Sequence, residues 1–119
     1  MILIVEDVEM IATHIGDVCA ELGVGFQIAM AGREALALAS AKVFRLAIVD
    51  LRLPDIGGVD LISEIRALPV PHGDVPILIA TGESRKVIIQ AIRAGANGMI
   101  EKPYSLAVLK TRVTELMRD

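Results

Sequence analysis

The chain has 119 residues and a formal net charge of −3, with 54% hydrophobic but only 3% aromatic residues. That length fits one domain, residues 1–119, and the shortage of rings makes its core aliphatic. No basic stripe marks a nucleic-acid contact, the single Cys19 excludes an intrachain disulfide or a multi-cysteine metal site, and no apolar run is long enough to span a bilayer. The opening Met1-Ile2-Leu3-Ile4-Val5-Glu6-Asp7 also lacks the basic flank and cleavage site of a signal peptide, so a cytoplasmic protein is expected.

Ile2 to Val5 is an all-apolar run and reads as a first strand. From Val8 the period becomes helical, with Ile11, Ile15, Val18 and Leu22 on one face and Gly23 and Gly25 as stops. Phe26 to Met30 reads as a second strand, and Arg33 to Ala41 as an alanine-rich second helix. Phe44 to Val49 is a third strand. Val59, Ile62, Ile65 and Leu68 mark a third helix, ended by Pro69-Val70-Pro71-His72-Gly73. Val75 to Ala80 is a fourth strand, and Val87, Ile88, Ala91 and Ile92 mark a fourth helix stopped at Gly95. Gly98 to Glu101 is a short fifth strand; Leu106, Leu109, Val113 and Leu116 mark a fifth helix with Ser105 as N-cap. Strands that are apolar throughout are buried on both faces, so these five units predict a parallel sheet with helices on each side.

The chemistry-bearing residues sit where strands end: Glu6-Asp7 after the first, Asp50 after the third, Thr81 after the fourth and Lys102 after the fifth. In a parallel sheet these ends share one edge, the edge where ligands bind in such folds. Carboxylates crowded there repel; one pair at about 4 Å and an effective dielectric near 20 costs roughly 4 kcal/mol. Such a cluster calls for a cation. Mg²⁺ suits it, being hard, oxygen-seeking and slow to give up all its waters. With a metal present, Asp50 is a nucleophile towards phosphorus, and Lys102 and Thr81 supply a charge and a hydroxyl for the phosphoryl oxygens.

Four segments, Met1-Ile-Leu-Ile-Val-Glu-Asp7, Asp50-Leu-Arg-Leu-Pro-Asp-Ile-Gly-Gly58, Ile77-Leu-Ile-Ala-Thr-Gly-Glu83 and Met99-Ile-Glu-Lys-Pro-Tyr104, stand in an order and spacing that resembles the receiver domain of two-component response regulators, of the chemotaxis-receiver kind. The resemblance covers essentially the whole chain. It implies a flavodoxin-like α/β fold with strand order 2-1-3-4-5 and five helices on both faces. It implies that Asp50 is the phosphoacceptor, that Asp7 and Asp50 bind Mg²⁺ directly, that Glu6 binds it through water, and that the backbone carbonyl of Arg52 is a further ligand. It implies that Thr81 and Lys102 hold the phosphoryl group and that the Lys102-Pro103 peptide is cis. Arg52 and Glu83, two residues beyond Asp50 and Thr81, stand where relatives tune acyl-phosphate lifetime; a charged pair there is expected to bridge and screen water. Met99 stands where relatives carry a switching aromatic ring, Tyr104 does not replace it, and Gly57 stands where Asp is frequent.

The implied function is a phosphorelay module. It receives a phosphoryl group from a sensor histidine kinase or phosphotransfer protein. It then changes the face made by the fourth helix, fifth strand and fifth helix, which serves a downstream protein, an output domain or a homodimer. It catalyses only its own phosphorylation and dephosphorylation, and is not otherwise an enzyme. The alternative is a phosphorylation-independent pseudo-receiver. A haloacid-dehalogenase-like phosphatase needs a second Asp where this chain has Arg52. The stretch Ala96-Asn97-Gly98 lacks the paired acids of many DNA-binding relatives, and no output domain follows Asp119 in this sequence. Simpler roles exist for each residue alone: Glu6-Asp7 capping the first helix, Thr81 and Glu83 the fourth. His14 and His72 read as solvent-facing or structural, and Cys19 as a small packed residue. Ile88-Ile89, with Arg85, Lys86 and Arg93, reads as a solvated helix or a docking face.

Overall fold

A computed structural model describes residues 1–118. Five strands alternate with five helices: β1 (Ile2–Val5), α1 (Glu9–Glu21), β2 (Phe26–Ala29), α2 (Gly32–Ala41), β3 (Leu46–Val49), α3 (Gly58–Arg66), β4 (Ile77–Thr81), α4 (Arg85–Ala94), β5 (Gly98–Glu101) and α5 (Leu106–Leu116). All neighbouring strands are parallel, in the order β2-β1-β3-β4-β5. This is the flavodoxin-like arrangement that the resemblance implied.

The sheet divides the core in two. Leu3, Val5, Ala47, Val49, Ile77 and Ile79 face α2, α3 and α4, whereas Ile2, Ile4, Leu46, Ile48, Leu78 and Ala80 face α1 and α5. Successive strand side chains point to opposite faces, so a strand covered on both sides must be apolar at every position. β1, β3 and β4 are buried throughout. Each deep Ile or Leu contributes roughly 1.5–3 kcal/mol by leaving water.

Several element ends differ from the pattern-based reading. β3 starts at Leu46 rather than Phe44, because β1 offers its first partner at Ile2. Phe44 instead turns into the core beneath Lys42, whose ammonium lies 5.8 Å from the ring centre. β4 starts at Ile77 and runs on to Thr81, so Val75 and Pro76 precede it. Pro76 has no N–H to give to a ladder. Met30 lies beyond the last β1–β2 pair, Val5 with Ala29. Leu68 lies outside α3, and a 3₁₀ turn spans His72–Asp74. Lys102-Pro103 is cis, as is Val70-Pro71.

Candidate functional site

The ladder hydrogen bonds carry the site residues one step beyond their strands. Glu6 N–H donates to the Ala29 carbonyl (3.0 Å), Asp50 N–H to Val5 (2.9 Å) and Lys102 N–H to Thr81 (2.9 Å). β1 and β3 are in register with Val5 opposite Val49, so Glu6 and Asp50 emerge side by side. β4 and β5 pair Thr81 with Glu101, which places Lys102 at the same edge.

Lys102 Nζ lies 2.9 Å from Glu6 Oε2 and 3.0 Å from Asp50 Oδ2, so one ammonium serves two carboxylates. Glu6 is 1% exposed and Asp50 6%, whereas Asp7 is exposed. The second oxygens are also engaged: Glu6 Oε1 accepts from Val8 N–H (3.2 Å) and Asp50 Oδ1 from Arg52 N–H (3.3 Å). Burial pushes the Glu6 carboxyl above the usual range, against the opposing pull of Lys102, and the nearby Asp50 adds to the rise. Burial alone would lower the Lys102 ammonium; its bonds to Glu6 and Asp50 outweigh that and hold it above its ordinary value.

Carboxylate oxygens of Glu6, Asp7 and Asp50 lie within 4.8 Å of one another, close enough to share one ion. With all three ionised, a single Lys102 leaves two negative charges uncompensated. That deficit and the all-oxygen donor set fit a hard divalent cation.

Thr81 is fully buried and its hydroxyl accepts from Glu83 N–H (3.2 Å), so it is held by its own loop rather than by the acid–lysine cluster. Arg52 Nε and Glu83 Oε1 form an ion pair between the β3–α3 and β4–α4 loops, with the Arg52 side chain largely in solvent. Met99 is half-buried on β5 and packs against the core layer shared with α2, α3 and α4. Among the described residues, neither His14, exposed on α1, nor His72, in the 3₁₀ turn, belongs to a group close enough to share a metal ion. Cys19 is buried, and that burial pushes its thiol up to about 11.

Neither Glu6 nor Asp7 caps α1 through its side chain: the cap residue is Val8, with no side-chain bond. α4 is capped by Ser84, whose hydroxyl accepts from Val87 N–H, so Thr81 is not its cap. Glu83 lies before that helix and is spent on Arg52. Ser105 does cap α5, accepting from Val108 N–H.

Asp55 was not singled out by sequence pattern. Its carboxylate accepts from Gly32 N–H (2.7 Å) and Arg33 N–H (2.8 Å) at the start of α2, and from Ile56 N–H (2.9 Å). The Arg33 bond leads, and with the other two it holds the carboxyl below its usual range despite some desolvation. The only sequence signal was Asp after Pro in a Gly-rich loop, which also describes an ordinary turn.

Comparison with known proteins agrees with this geometry. The response regulator receiver domain family matches residues 2–114. Chemotaxis protein CheY-3 of Vibrio cholerae is 34% identical over 118 residues, covering 97% of this chain and 89% of that protein. A CheY-like response regulator receiver domain from Methanospirillum hungatei superposes with a TM-score of 0.90 at 28% identity, over 98% of this chain and 91% of that one. A Burkholderia pseudomallei response regulator, solved with a phosphorylated aspartic acid, calcium ion and citrate, superposes with a TM-score of 0.81 at 27% identity, over 96% of this chain and 70% of that one. A parallel sheet that gathers acids and a lysine at one edge, and a match along nearly the full length, lead to the same result: the chain belongs to the response regulator receiver domain family of two-component signalling.

Proposed function

We propose that this receiver domain takes a phosphoryl group on Asp50 from a phosphohistidine donor, with Mg²⁺ bound by Asp7, Asp50, the Arg52 carbonyl and, through water, Glu6. The observation that carries this reading is the buried Asp50 carboxylate, with Lys102 at 3.0 Å and two further acids close enough to share a cation. The phosphorylated aspartic acid and calcium ion of the Burkholderia pseudomallei regulator lend it support. Mg²⁺, when bound, offsets the negative charge that gathers on the phosphoryl oxygens.

In the step itself an Asp50 carboxylate oxygen attacks phosphorus and the donor's P–N bond breaks. The imidazole nitrogen leaves with the bonding pair, and an acyl phosphate forms. Lys102, already at the acceptor, moves its charge from carboxylate to phosphoryl oxygen. The Thr81 hydroxyl, which accepts from Glu83 N–H, moves to donate its hydrogen to a phosphoryl oxygen and draws the β4–α4 loop with it. Water later attacks phosphorus and releases phosphate, restoring Asp50. The Arg52–Glu83 pair spans the two loops on that approach and slows this water.

The readout uses α4, β5 and α5. Ile89, Ile92 and Val108 are exposed there, a surface for a downstream protein, an output domain or a second copy. Met99 adjusts by rotamer rather than by a ring swing. The domain catalyses only these two reactions on itself, and works in the cytoplasm; no described helix is long and apolar enough to cross a membrane. A phosphorylation-independent module has less support, since all five strand-end residues are retained.

Incubation with a small acyl-phosphate donor and Mg²⁺, followed by intact-mass measurement, tests the reading. A gain of one phosphoryl group is expected, and no gain when Mg²⁺ is chelated before the donor is added. A chain whose mass never changes contradicts it.

A further inference from the structure

The first N–H groups of a helix have no partner inside it. α2 begins after Ala31, which has no side-chain acceptor, so Gly32 and Arg33 N–H must be satisfied from elsewhere. They are satisfied by Asp55, 23 and 22 residues away in the loop between β3 and α3. The contact is close as well as polar. A Cβ on Gly32 would fall 2.4 Å from Ile56 Cγ1, so the loop lies directly on the start of α2. The same loop is fixed at its far end, where Gly58 N–H donates to the Leu51 carbonyl (3.0 Å). There a Cβ on Gly58 would fall 2.5 Å from Leu51 Cα. Arg52, whose N–H donates to Asp50 Oδ1, lies between Leu51 and Asp55, the two held residues that flank it in this loop.

We propose that Asp55 is a positioning residue for metal binding: by tying the middle of the β3–α3 loop to the start of α2, it sets the place of the Arg52 backbone carbonyl relative to Asp50. This rests on the metal reading above. A carbonyl is a weak ligand that binds well only when its backbone is already in place, and partners that orient ligands typically matter by about 10–100-fold in metal affinity. The link runs through backbone atoms and not through side chains at the acid cluster. Asp55 therefore acts on the metal without touching it.

Mg²⁺ titration by calorimetry, with no phosphodonor present, tests this on four chains: the parent, Asp55→Ala, Asp55→Asn, and Asp55→Ala combined with Ala31→Ser. Ala31 has the extended backbone of a cap residue (φ −149°, ψ 154°), so a serine there caps α2 locally without holding the loop. Asp55→Ala should weaken Mg²⁺ binding about tenfold or more and lower the melting temperature. Asp55→Asn, which keeps one acceptor oxygen, should weaken it less. Adding Ala31→Ser should restore the melting temperature and leave Mg²⁺ binding weak. Unchanged affinity in Asp55→Ala, or affinity that returns with Ala31→Ser, overturns the positioning role and leaves the metal reading standing. A parent chain that binds no Mg²⁺ overturns the metal reading and this role with it. If Asp55→Ala does not fold, Asp55→Asn decides: weaker binding than the parent supports the role, and equal binding overturns it.

Discussion

Lys102 donates to two buried carboxylates at once, and that arrangement sets the electrostatics of the site. Replacing it with methionine keeps much of the stem but leaves Glu6 and Asp50 facing each other without a counter-charge. Lys102→Met should cost about 1–3 kcal/mol at pH 7, since it leaves two buried acceptors without their donor. The pH dependence has a definite sign. Glu6 already titrates above its ordinary value, so the folded chain takes up a proton more readily than the unfolded one. Its charged form therefore subtracts stability as pH rises from the unfolded value of 4.5 through the raised folded one. Without Lys102 that folded value rises further, and the variant should regain stability as pH falls from 7 towards 5. Urea unfolding at both pH values checks this; a loss that grows on acidification contradicts it.

The residues that could be read from the sequence are those whose role follows from ending a strand. Glu6, Asp50, Thr81 and Lys102 share one edge because the strands are parallel, and sequence shows both the strands and their ends. What Thr81 touches did not follow, because the hydroxyl's partner depends on the path of the loop after it. Asp55 was illegible for a similar reason: an Asp in a turn has many local partners, and its distant ones lie on a helix 22 residues earlier. Glu83 looked like an acid for α4, yet Arg52 arrives from another loop to pair with it.

Among the elements, α3 and α4 are joined by one side chain. Arg66 donates to the carbonyls of Gly73 (2.8 Å), Val75 (2.6 Å) and Gly95 (2.7 and 3.1 Å), and to Asn97 Oδ1 (2.8 Å). Asn97 Oδ1 in turn accepts from Ile77 N–H (2.8 Å), at the start of β4. Gly95 ends α4 at φ +126°, a backbone form that L side chains rarely adopt, and a Cβ there would meet Arg66 at 2.8 Å. Arg66 therefore holds the rear of α4, while Ser84 and the Arg52–Glu83 pair lie at its front, on the side of Asp50. Arg66→Ala should destabilise the domain by about 2–4 kcal/mol, because several carbonyls lose a charged donor together. Chemical denaturation checks this, and a change below about 0.5 kcal/mol, the usual size for a surface substitution, contradicts it. Helix faces were readable from apolar spacing, but this junction was not. Arg66 closes an amphipathic stretch and has the sequence look of a solvated cation.

For the whole molecule, two core layers on one thin sheet place every strand end at a common edge, so ligand binding there is coupled to the global fold. A ligand bound only by the folded chain stabilises it by RT ln(1 + [L]/Kd), about 2.7 kcal/mol at a hundred times Kd. Mg²⁺ should therefore raise the midpoint of thermal unfolding, and Asp7→Asn should shrink that rise, since Asp7 is the exposed member of the acid cluster. An identical shift in both chains contradicts the assignment of Asp7. The fold class was the most legible property of all. Strands apolar at every position, as β1 and β3 are and β4 is up to Ala80, require helices on both faces, and alternation of strand and helix then leaves little choice but a parallel sheet. Strand order was not legible from period alone and came from the family resemblance.

The most direct test of the whole account is chemical mapping of the acceptor. The chain is treated with a small acyl-phosphate donor and Mg²⁺, reduced with borohydride, which converts an aspartyl phosphate to homoserine, and sequenced by mass spectrometry. Homoserine is expected at position 50, and none in Asp50→Asn. Reduction at another residue, or phosphorylation undiminished in Asp50→Asn, would contradict it.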